Sequence, residues 1–431
     1  MKIHRETDLH YDEALGRMNR RAVPAEEVRE AVASIIAEVR SRGDEALVEY
    51  AARFDHAVLT PDTMRVTEEE LQEARAAMPS DVRSAIEASL HNVHYFAQNS
   101  LRQDWSGVNA QGCEVGERFV PYDRVGIYVP GGKAPLVSTS IMTGGFAQAA
   151  GVPEIVAMTP CGPDARVNSA VLYALQEAGA TEIYKIGGAQ AIAALALGTK
   201  TVAPVEKIFG PGNRFVVEAK RQLVGAVSID LLPGPSEVMV LADGTANPVF
   251  VAADLLAQAE HGPDSIIALV TTSEELMEAV EREIEAQAAT LSRGAYVKEV
   301  FDRHATGILV PDLALGARLV NDFAPEHLVL SVDESVEEET LAAVRTAGAV
   351  YVGPYATVAC GDFLAGPSHT LPTGGSGKSF SGIRADQFQR RTSIVRMNRA
   401  AAERSLPYVE VFARIEGLDA HGRSLLLRAE S

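Results

Sequence analysis

At 431 residues the chain is too long for one compact core, so two or more domains are expected. Hydrophobic residues at 47% and charged residues at 23% fit a globular protein, and the net charge of −19 argues against nucleic acid, whose phosphates need clustered Lys and Arg. Cys113, Cys161 and Cys360 lie far apart with no Cys-x-x-Cys, which speaks against a disulfide framework and an all-cysteine zinc site.

The chain starts Met1-Lys2-Ile3-His4-Arg5-Glu6-Thr7-Asp8, charged and without an apolar signal core, and its apolar runs are too short to span a bilayer. The expectation is a soluble protein of a reducing cytoplasm with no membrane partner. Residues 1–21 read as a charged N-terminal arm. From Pro24 to Asn99 the spacing is helical, with apolar residues three and four apart in Val28 to Ser41 and Val82 to Phe96. His91 and His94, at i and i+3 on the second of these, read as ordinary surface or packing histidines.

Val125 to Val129 is a buried strand entering the turn Pro130-Gly131-Gly132. Glu154 to Met158, Asp164 to Ala178 and Glu182 to Ile186 then read as strand, helix and strand, a parallel βαβ unit. A helix is expected over Phe215 to Val224. Strands follow at Glu237 to Leu241, Ser265 to Val270, Gly307 to Val310, Leu328 to Val332 and Ala349 to Val352, separated by helical stretches. The class is α/β: two Rossmann-like domains with open, mainly parallel sheets, plus small N-terminal and C-terminal helical segments, and ligands are expected beyond the carboxyl ends of the strands. Residues 22–127 and 237–383 are assigned to a first α/β domain, 128–236 to a second. Residues 384–431 read as a polar, Arg-containing helical domain packing on a partner subunit.

Chemistry is suggested at several points. In Ala324-Pro325-Glu326-His327-Leu328 a carboxylate and an imidazole follow a proline that cannot continue the helix Asp312 to Phe323. Glu326 and His327 could relay a proton and activate a water, or His327 could simply enter a strand beside a solvent-facing neighbour. Asn247-Pro248 opens a helix on which Asp254, Gln258 and His261 share one face, as a metal or substrate site or as a solvated polar stripe. Asp362 and His369 lie in the Gly-rich run Gly361 to His369, and Gly374-Gly375-Ser376-Gly377 nearby lets backbone approach a ligand. Gln258, His261, Asp362 and His421 together would make a mixed nitrogen and oxygen site with room for substrate, as catalytic zinc requires. Gly187-Gly188-Ala189-Gln190 and Gly210-Pro211-Gly212-Asn213 are candidate phosphate-side turns of a dinucleotide site, although Phe215 stands where the third glycine of a Gly-x-Gly-x-x-Gly fingerprint would be. Ser236, in Gly234-Pro235-Ser236-Glu237, lacks a nucleophile elbow and reads as a hydrogen-bond donor or turn residue.

Taken in order and spacing, these segments resemble the histidinol dehydrogenase family. The resemblance runs from Arg42-Gly43-Asp44 and Ala52-Arg53-Phe54-Asp55 to Glu416-Gly417-Leu418-Asp419-Ala420-His421. It implies a homodimer with NAD and one zinc per subunit that converts L-histidinol to L-histidine through an aldehyde. It implies zinc at Gln258, His261, Asp362 and His421, and catalysis by Glu326 and His327. Substrate would meet Ser236, His327, His369, Glu416 and the zinc ligands, and NAD would meet Tyr128, Gln190 and Asn213. The C-terminal segment would cross to the partner, so that Glu416 and His421 complete the other subunit's site. Arg214-Phe215, Asp362-Phe363, Pro367-Ser368-His369 and Pro233-Gly234-Pro235 depart from the family's common pattern without removing a ligand or catalytic group. The alternatives are a relative of the same fold acting on sulfopropanediol, and a metal-binding scaffold without catalysis.

Overall fold

The computed structural model describes residues 2–5, 25–131 and 135–430. The spacing of apolar residues is realised as helices: Glu26–Arg42 buries Val28, Val32, Ile35, Ile36 and Val39, and Ser80–Ser100 buries Ile86, Val93 and Ala97. Strands form over Arg124–Tyr128, Glu154–Met158, Glu182–Tyr184, Glu237–Ala242, Ile266–Thr271, Ala305–Leu309, His327–Ser331 and Ala349–Val352, each at or within a few residues of its expected place. The helix expected from Asp164 begins only at Ser169. Asp164 accepts a hydrogen bond from the Arg166 amide and Asn168 caps Ala170 and Val171, so short polar side chains hold the preceding backbone in turns.

Two sheets carry the fold. The five-stranded sheet has the order Glu182–Tyr184, Glu154–Met158, Arg124–Tyr128, Lys207–Phe209, Ser228–Ile229. The six-stranded sheet has the order Lys2–Arg5, Ala305–Leu309, Ile266–Thr271, Glu237–Ala242, His327–Ser331, Ala349–Val352. All neighbours in both are parallel. In each, strand order reverses beside the unit's first strand: between Arg124–Tyr128 and Lys207–Phe209, and between Glu237–Ala242 and His327–Ser331. Glu237–Ala242 and Ile266–Thr271 are buried along their whole length, as parallel strands covered on both faces must be.

Two expectations are corrected. The helices over 26–100 pack on the five-stranded sheet: Val32, Leu47, Met64 and Val93 share one apolar core with Val125, Ile155, Ile192 and Ile208. The grouping of 22–127 with 237–383 therefore gives way to a core joining 28–97 with 125–231, while the six-stranded sheet has its own cores on its two faces. Within the N-terminal arm, Lys2–Arg5 pairs with Ala305–Leu309 at the sheet edge, and its other residues lie outside the described ones. The segment after 384 is not purely helical. Gln389–Arg396 is a strand antiparallel to Glu114–Pro121, which also pairs with Trp105–Val108, and only then come helices Arg399–Glu416 and Asp419–Glu430. The two outer strands of this third sheet are mostly exposed, so they carry no alternation of apolar and polar residues to mark them. Among the described residues no helix is long and apolar enough to cross a membrane.

Candidate active site

The loop that carries Glu326 and His327 is set by its backbone. Helix Leu313–Phe323 ends on Ala324, a buried residue in the left-handed region at φ 53 and ψ 66, ahead of Pro325. His327 is then the first residue of its strand and pairs in register with Val238 of the neighbouring strand. This places Glu326 next to Ser236 and Glu237. Its Oε2 accepts a 2.6 Å bond from the Ser236 hydroxyl and a 2.8 Å bond from the Glu237 amide, which leaves Oε1 toward His327. Burial pushes the Glu326 carboxyl well above the usual carboxylate range.

His327 Nδ1 lies 3.1 Å from the Tyr351 hydroxyl, and Nε2 points into the cluster, 3.8 Å from Glu326 Oε1 and 4.0 Å from Asp362 Oδ1. Burial, with the nearby His261 and His369, lowers His327 to about 3, and the imidazole is neutral at working pH. The two neighbours are thus shifted in opposite directions, Glu326 toward its protonated form and His327 toward its neutral form.

Asp362 lies in the last turn of the short helix Val358–Phe363 and is buried, with Oδ1 lacking a hydrogen-bond partner and its carboxyl pushed up to about 7 by burial. Its Oδ2 lies 3.9 Å from His261 Nε2. One turn before His261, helix Pro248–Ala259 holds Gln258 with both side-chain amide atoms buried and unpartnered. An amide and a carboxylate left unsatisfied beside an imidazole are costly in a folded protein, and a cation would relieve them. The donor types suit zinc. Asp254 stands on the same helix, half-buried and raised to about 6 by burial.

His369 joins the two halves of the molecule. Its Nδ1 faces the Asp362 carbonyl at 3.1 Å, which only accepts, so Nδ1 carries the proton and Nε2 accepts from the Thr139 hydroxyl at 3.0 Å. Thr139 lies on helix Val137–Ala149, which follows the first strand of the five-stranded sheet. Both His369 nitrogens are thus engaged inside the protein, and burial lowers the ring to about 4.

Facing this cluster is the carboxyl edge of the five-stranded sheet. Tyr128 ends its strand, and its hydroxyl accepts from the Gly188 amide at 3.0 Å, at the start of helix Gly188–Leu197. Gln190, on that helix, is buried with both amide atoms unpartnered. Gly210 has φ +110, and a Cβ there would come 2.2 Å from the Tyr128 carbonyl oxygen, so only glycine fits. Asn213 caps helix Arg214–Leu223 by accepting from the Phe215 and Val216 amides. Glycine turns at helix N-termini present amides to an anionic ligand.

The structure therefore brings together Ser236, Gln258, His261, Glu326, His327, Asp362 and His369, and groups Tyr128, Gln190 and Asn213 on the opposing edge. It leaves Glu416 and His421 apart: both are exposed on the C-terminal helices, and among the described residues no three His, Cys, Asp or Glu side chains converge as a metal site. The cluster lies ahead of the amino ends of its strands, not beyond their carboxyl ends as expected. Tyr351 and Thr139 are partners of the site that sequence reasoning misses, since a Tyr in an apolar strand and a Thr in an apolar helix carry no separate signal.

Comparison with known proteins agrees. The model of the histidinol dehydrogenase family matches residues 18–429. A histidinol dehydrogenase of Geobacillus kaustophilus is 42% identical over 405 residues, covering 94% of this chain and 95% of that one. One of Syntrophotalea carbinolica is 41% identical over 429 residues, 99% of each. The crystal structure of histidinol dehydrogenase from Elizabethkingia anophelis superposes with a TM-score of 0.94 at 34% identity, covering 100% of this chain and 98% of that one.

Proposed function

The chain belongs to the histidinol dehydrogenase family, whose members are NAD-dependent dehydrogenases, and on that premise we propose that it oxidises L-histidinol to L-histidine through L-histidinaldehyde. The reaction would use two NAD at one zinc-bearing site and be the last step of histidine biosynthesis, in the cytoplasm. The observation that carries this reading is the convergence of the Glu326–His327 pair with the unsatisfied Gln258 and Asp362 groups, opposite a glycine-lined edge suited to a dinucleotide.

When bound, zinc would anchor the amine and imidazole of the substrate and NAD would accept hydride. The residues supply the proton chemistry. In the first half-reaction the carbinol carbon would give up a hydride, and His327 Nε2 takes the hydroxyl proton and passes it through Glu326 to solvent, which leaves Glu326 ionised for the second. In the second, Glu326 Oε1 removes a proton from water as its oxygen bonds to the aldehyde carbon, and His327 takes the hydrate's proton as the second hydride leaves. The balance is one alcohol, one water and two NAD giving one carboxylate, two NADH and three protons. Ser236 holds Glu326 by its other oxygen throughout. Gln258, His261 and Asp362 would hold the metal, with His421 as the fourth ligand.

His421 and Glu416 would come from a second copy of the chain, making a homodimer with shared sites. Helix Arg399–Glu416 supports this, because Tyr408, Val411, Phe412 and Ile415 fall on one face at helical spacing and all are exposed. Trp105, Val108, Val395 and Met397, on and beside the third sheet, add further exposed apolar surface.

The test is NADH formed per L-histidinol consumed by purified protein, as prepared, after chelation, and after zinc is restored. Two NADH per substrate, lost on chelation and regained with zinc, is the expected result. Turnover of sulfopropanediol but not histidinol would move the chain to the relative with that activity. Silence with both substrates, with no NAD affinity, would leave a metal-binding scaffold.

A further inference from the structure

Beneath the cofactor edge lies a buried ion pair that the reaction chemistry does not use. Lys220 Nζ and Asp230 Oδ1 are 2.6 Å apart, and their side chains are 1% and 0% exposed. Neither group is on the surface, where such a pair would aid solubility, and a buried pair is a poor source of stability because desolvation offsets the attraction. What distinguishes this pair is what else it holds. Asp230 Oδ2 accepts from the Gly210 amide at 2.8 Å, and Lys220 Nζ donates to the Gly210 carbonyl at 2.5 Å. Both peptide groups flanking Gly210 are thus gripped by one ion pair.

Gly210 needs such a grip. Its φ of +110 lies in a region that glycine visits freely in the unfolded chain, and its Cα packs against the Tyr128 backbone. It begins the turn Gly210-Pro211-Gly212-Asn213, whose last residue caps helix Arg214–Leu223, and Lys220 sits on that helix two turns further on. Asp230 Oδ1 also accepts from the Leu231 amide at 2.6 Å, at the head of the linker leading to Ser236. One ion pair therefore fixes the end of the Lys207–Phe209 strand, the glycine turn and the start of the passage to the second parallel sheet relative to one another.

We propose that Lys220 and Asp230 are positioning residues for the dinucleotide, locking the Gly210–Asn213 turn in the conformation that receives the cofactor's phosphates. This rests on the NAD-dependent reading above. Neither residue touches the ligand; they act through Gly210. A turn already held in its binding conformation spares the cofactor the cost of ordering it, so the pair acts on affinity more than on folding.

The experiment compares the unmodified protein with Lys220→Met/Asp230→Asn, a neutral pair that keeps an acceptor for the Gly210 amide. Lys220→Met alone would strand a buried carboxylate and risks unfolding, so it serves only as the stability reference. NAD+ is titrated by calorimetry, metal content is measured on the same samples, and amide exchange is followed over 210–216. The expected result is a folded double variant with unchanged zinc content, faster exchange over the turn, and NAD+ affinity weakened about tenfold or more. NAD+ affinity within twofold of the unmodified protein would overturn the proposal and leave the NAD reading standing. So would a loss of affinity that only tracks a parallel loss of zinc and of overall protection, since the pair would then be merely structural. If the unmodified protein itself bound no NAD+, both readings would fall together.

Discussion

Each parallel sheet reverses its strand order at one point, yet Tyr128, Gly188 and Gly210 lie at the carboxyl ends of one sheet, while Ser236, Glu326 and His327 stand at the amino ends of the other. The short linker 230–236 leaves the carboxyl end of Ser228–Ile229 and enters the amino end of Glu237–Ala242, so the two unlike edges are brought face to face. They offer opposite chemistry. At carboxyl ends the chain enters helices, and glycine turns at the positive ends of helix dipoles favour an anionic dinucleotide. At amino ends the chain leaves helices: His261 follows the end of Pro248–Ala259, and Glu326 and His327 follow the end of Leu313–Phe323, where carbonyls and the negative end of the dipole favour a cation and protons. Strand order predicts a crevice at the carboxyl edge. It does not predict what a second sheet will present to it.

If this division is real, damage to one edge should leave the other's ligand alone. Glu326→Gln keeps the side chain's size but removes the base, and should lower the rate of histidine formation by about 10²–10⁴-fold. NAD+ affinity and zinc content should be unchanged; a full rate of histidine formation from the aldehyde would remove Glu326 from the second half-reaction. Gly210→Ala attacks the other edge. Its Cβ cannot coexist with the Tyr128 carbonyl at 2.2 Å, so the turn must shift. NAD+ affinity should weaken by about tenfold or more while the bound metal stays at the unmodified level, read by calorimetry and metal analysis on one sample. Loss of metal in that variant would join the two edges into one unit.

How much of this is legible in the sequence depends on burial and on reach. The Glu154–Met158 and Ala349–Val352 strands are found at their observed limits because apolar runs between turn residues have few other uses. Glu326 and His327 are legible because Pro325 forces a break where the helical pattern is still strong. Gln258 and His261 are legible because helical spacing is a fixed geometry. Tyr351 is not, since it pairs with Val329 and reaches His327 only diagonally across two strands, a contact set by register. The Gln389–Arg396 strand is not legible either: much of it faces outward and its partner lies far back in the chain, so no local pattern records it. Nor is the sharing of a core between the N-terminal helices and the five-stranded sheet, because amphipathic helices state that they pack but not against what.

Smaller effects sharpen the comparison at each edge. On the cofactor side, Asp55 ends the π-helical turn Ala51–Asp55 with Oδ2 buried and unpartnered, and its charge reaches Tyr128 and Cys161. Burial raises its carboxyl to about 6 from an ordinary value of 3.8. Between those values the folded state binds more protons than the unfolded one, so stability falls as pH rises through this window and stays at the lower level above it. Asp55→Asn should therefore stabilise the protein at pH 7.5, on the order of 1 kcal/mol after allowance for partial exposure, and change little at pH 4. Denaturant unfolding at the two pH values measures it; equal effects at both would mean the carboxylate is not the source.

On the catalytic side the corresponding cost is in the backbone. Ala324 holds φ 53 without being glycine, a conformation that disfavours a Cβ by roughly 1–2 kcal/mol. Ala324→Gly removes that penalty but gives the unfolded chain more freedom, worth about 0.4–1 kcal/mol in the other direction. The net change in stability should be small and favourable. The rate should move the opposite way, because Ala324 is two residues from Glu326 and a glycine permits other paths into Pro325. A fall of a few-fold in kcat, with NAD+ affinity unchanged and the melting temperature level or higher, would mean that strain at this edge serves to aim the carboxylate. A stabler variant with full kcat would mean that the Ser236 and Glu237 bonds alone hold Glu326 in place.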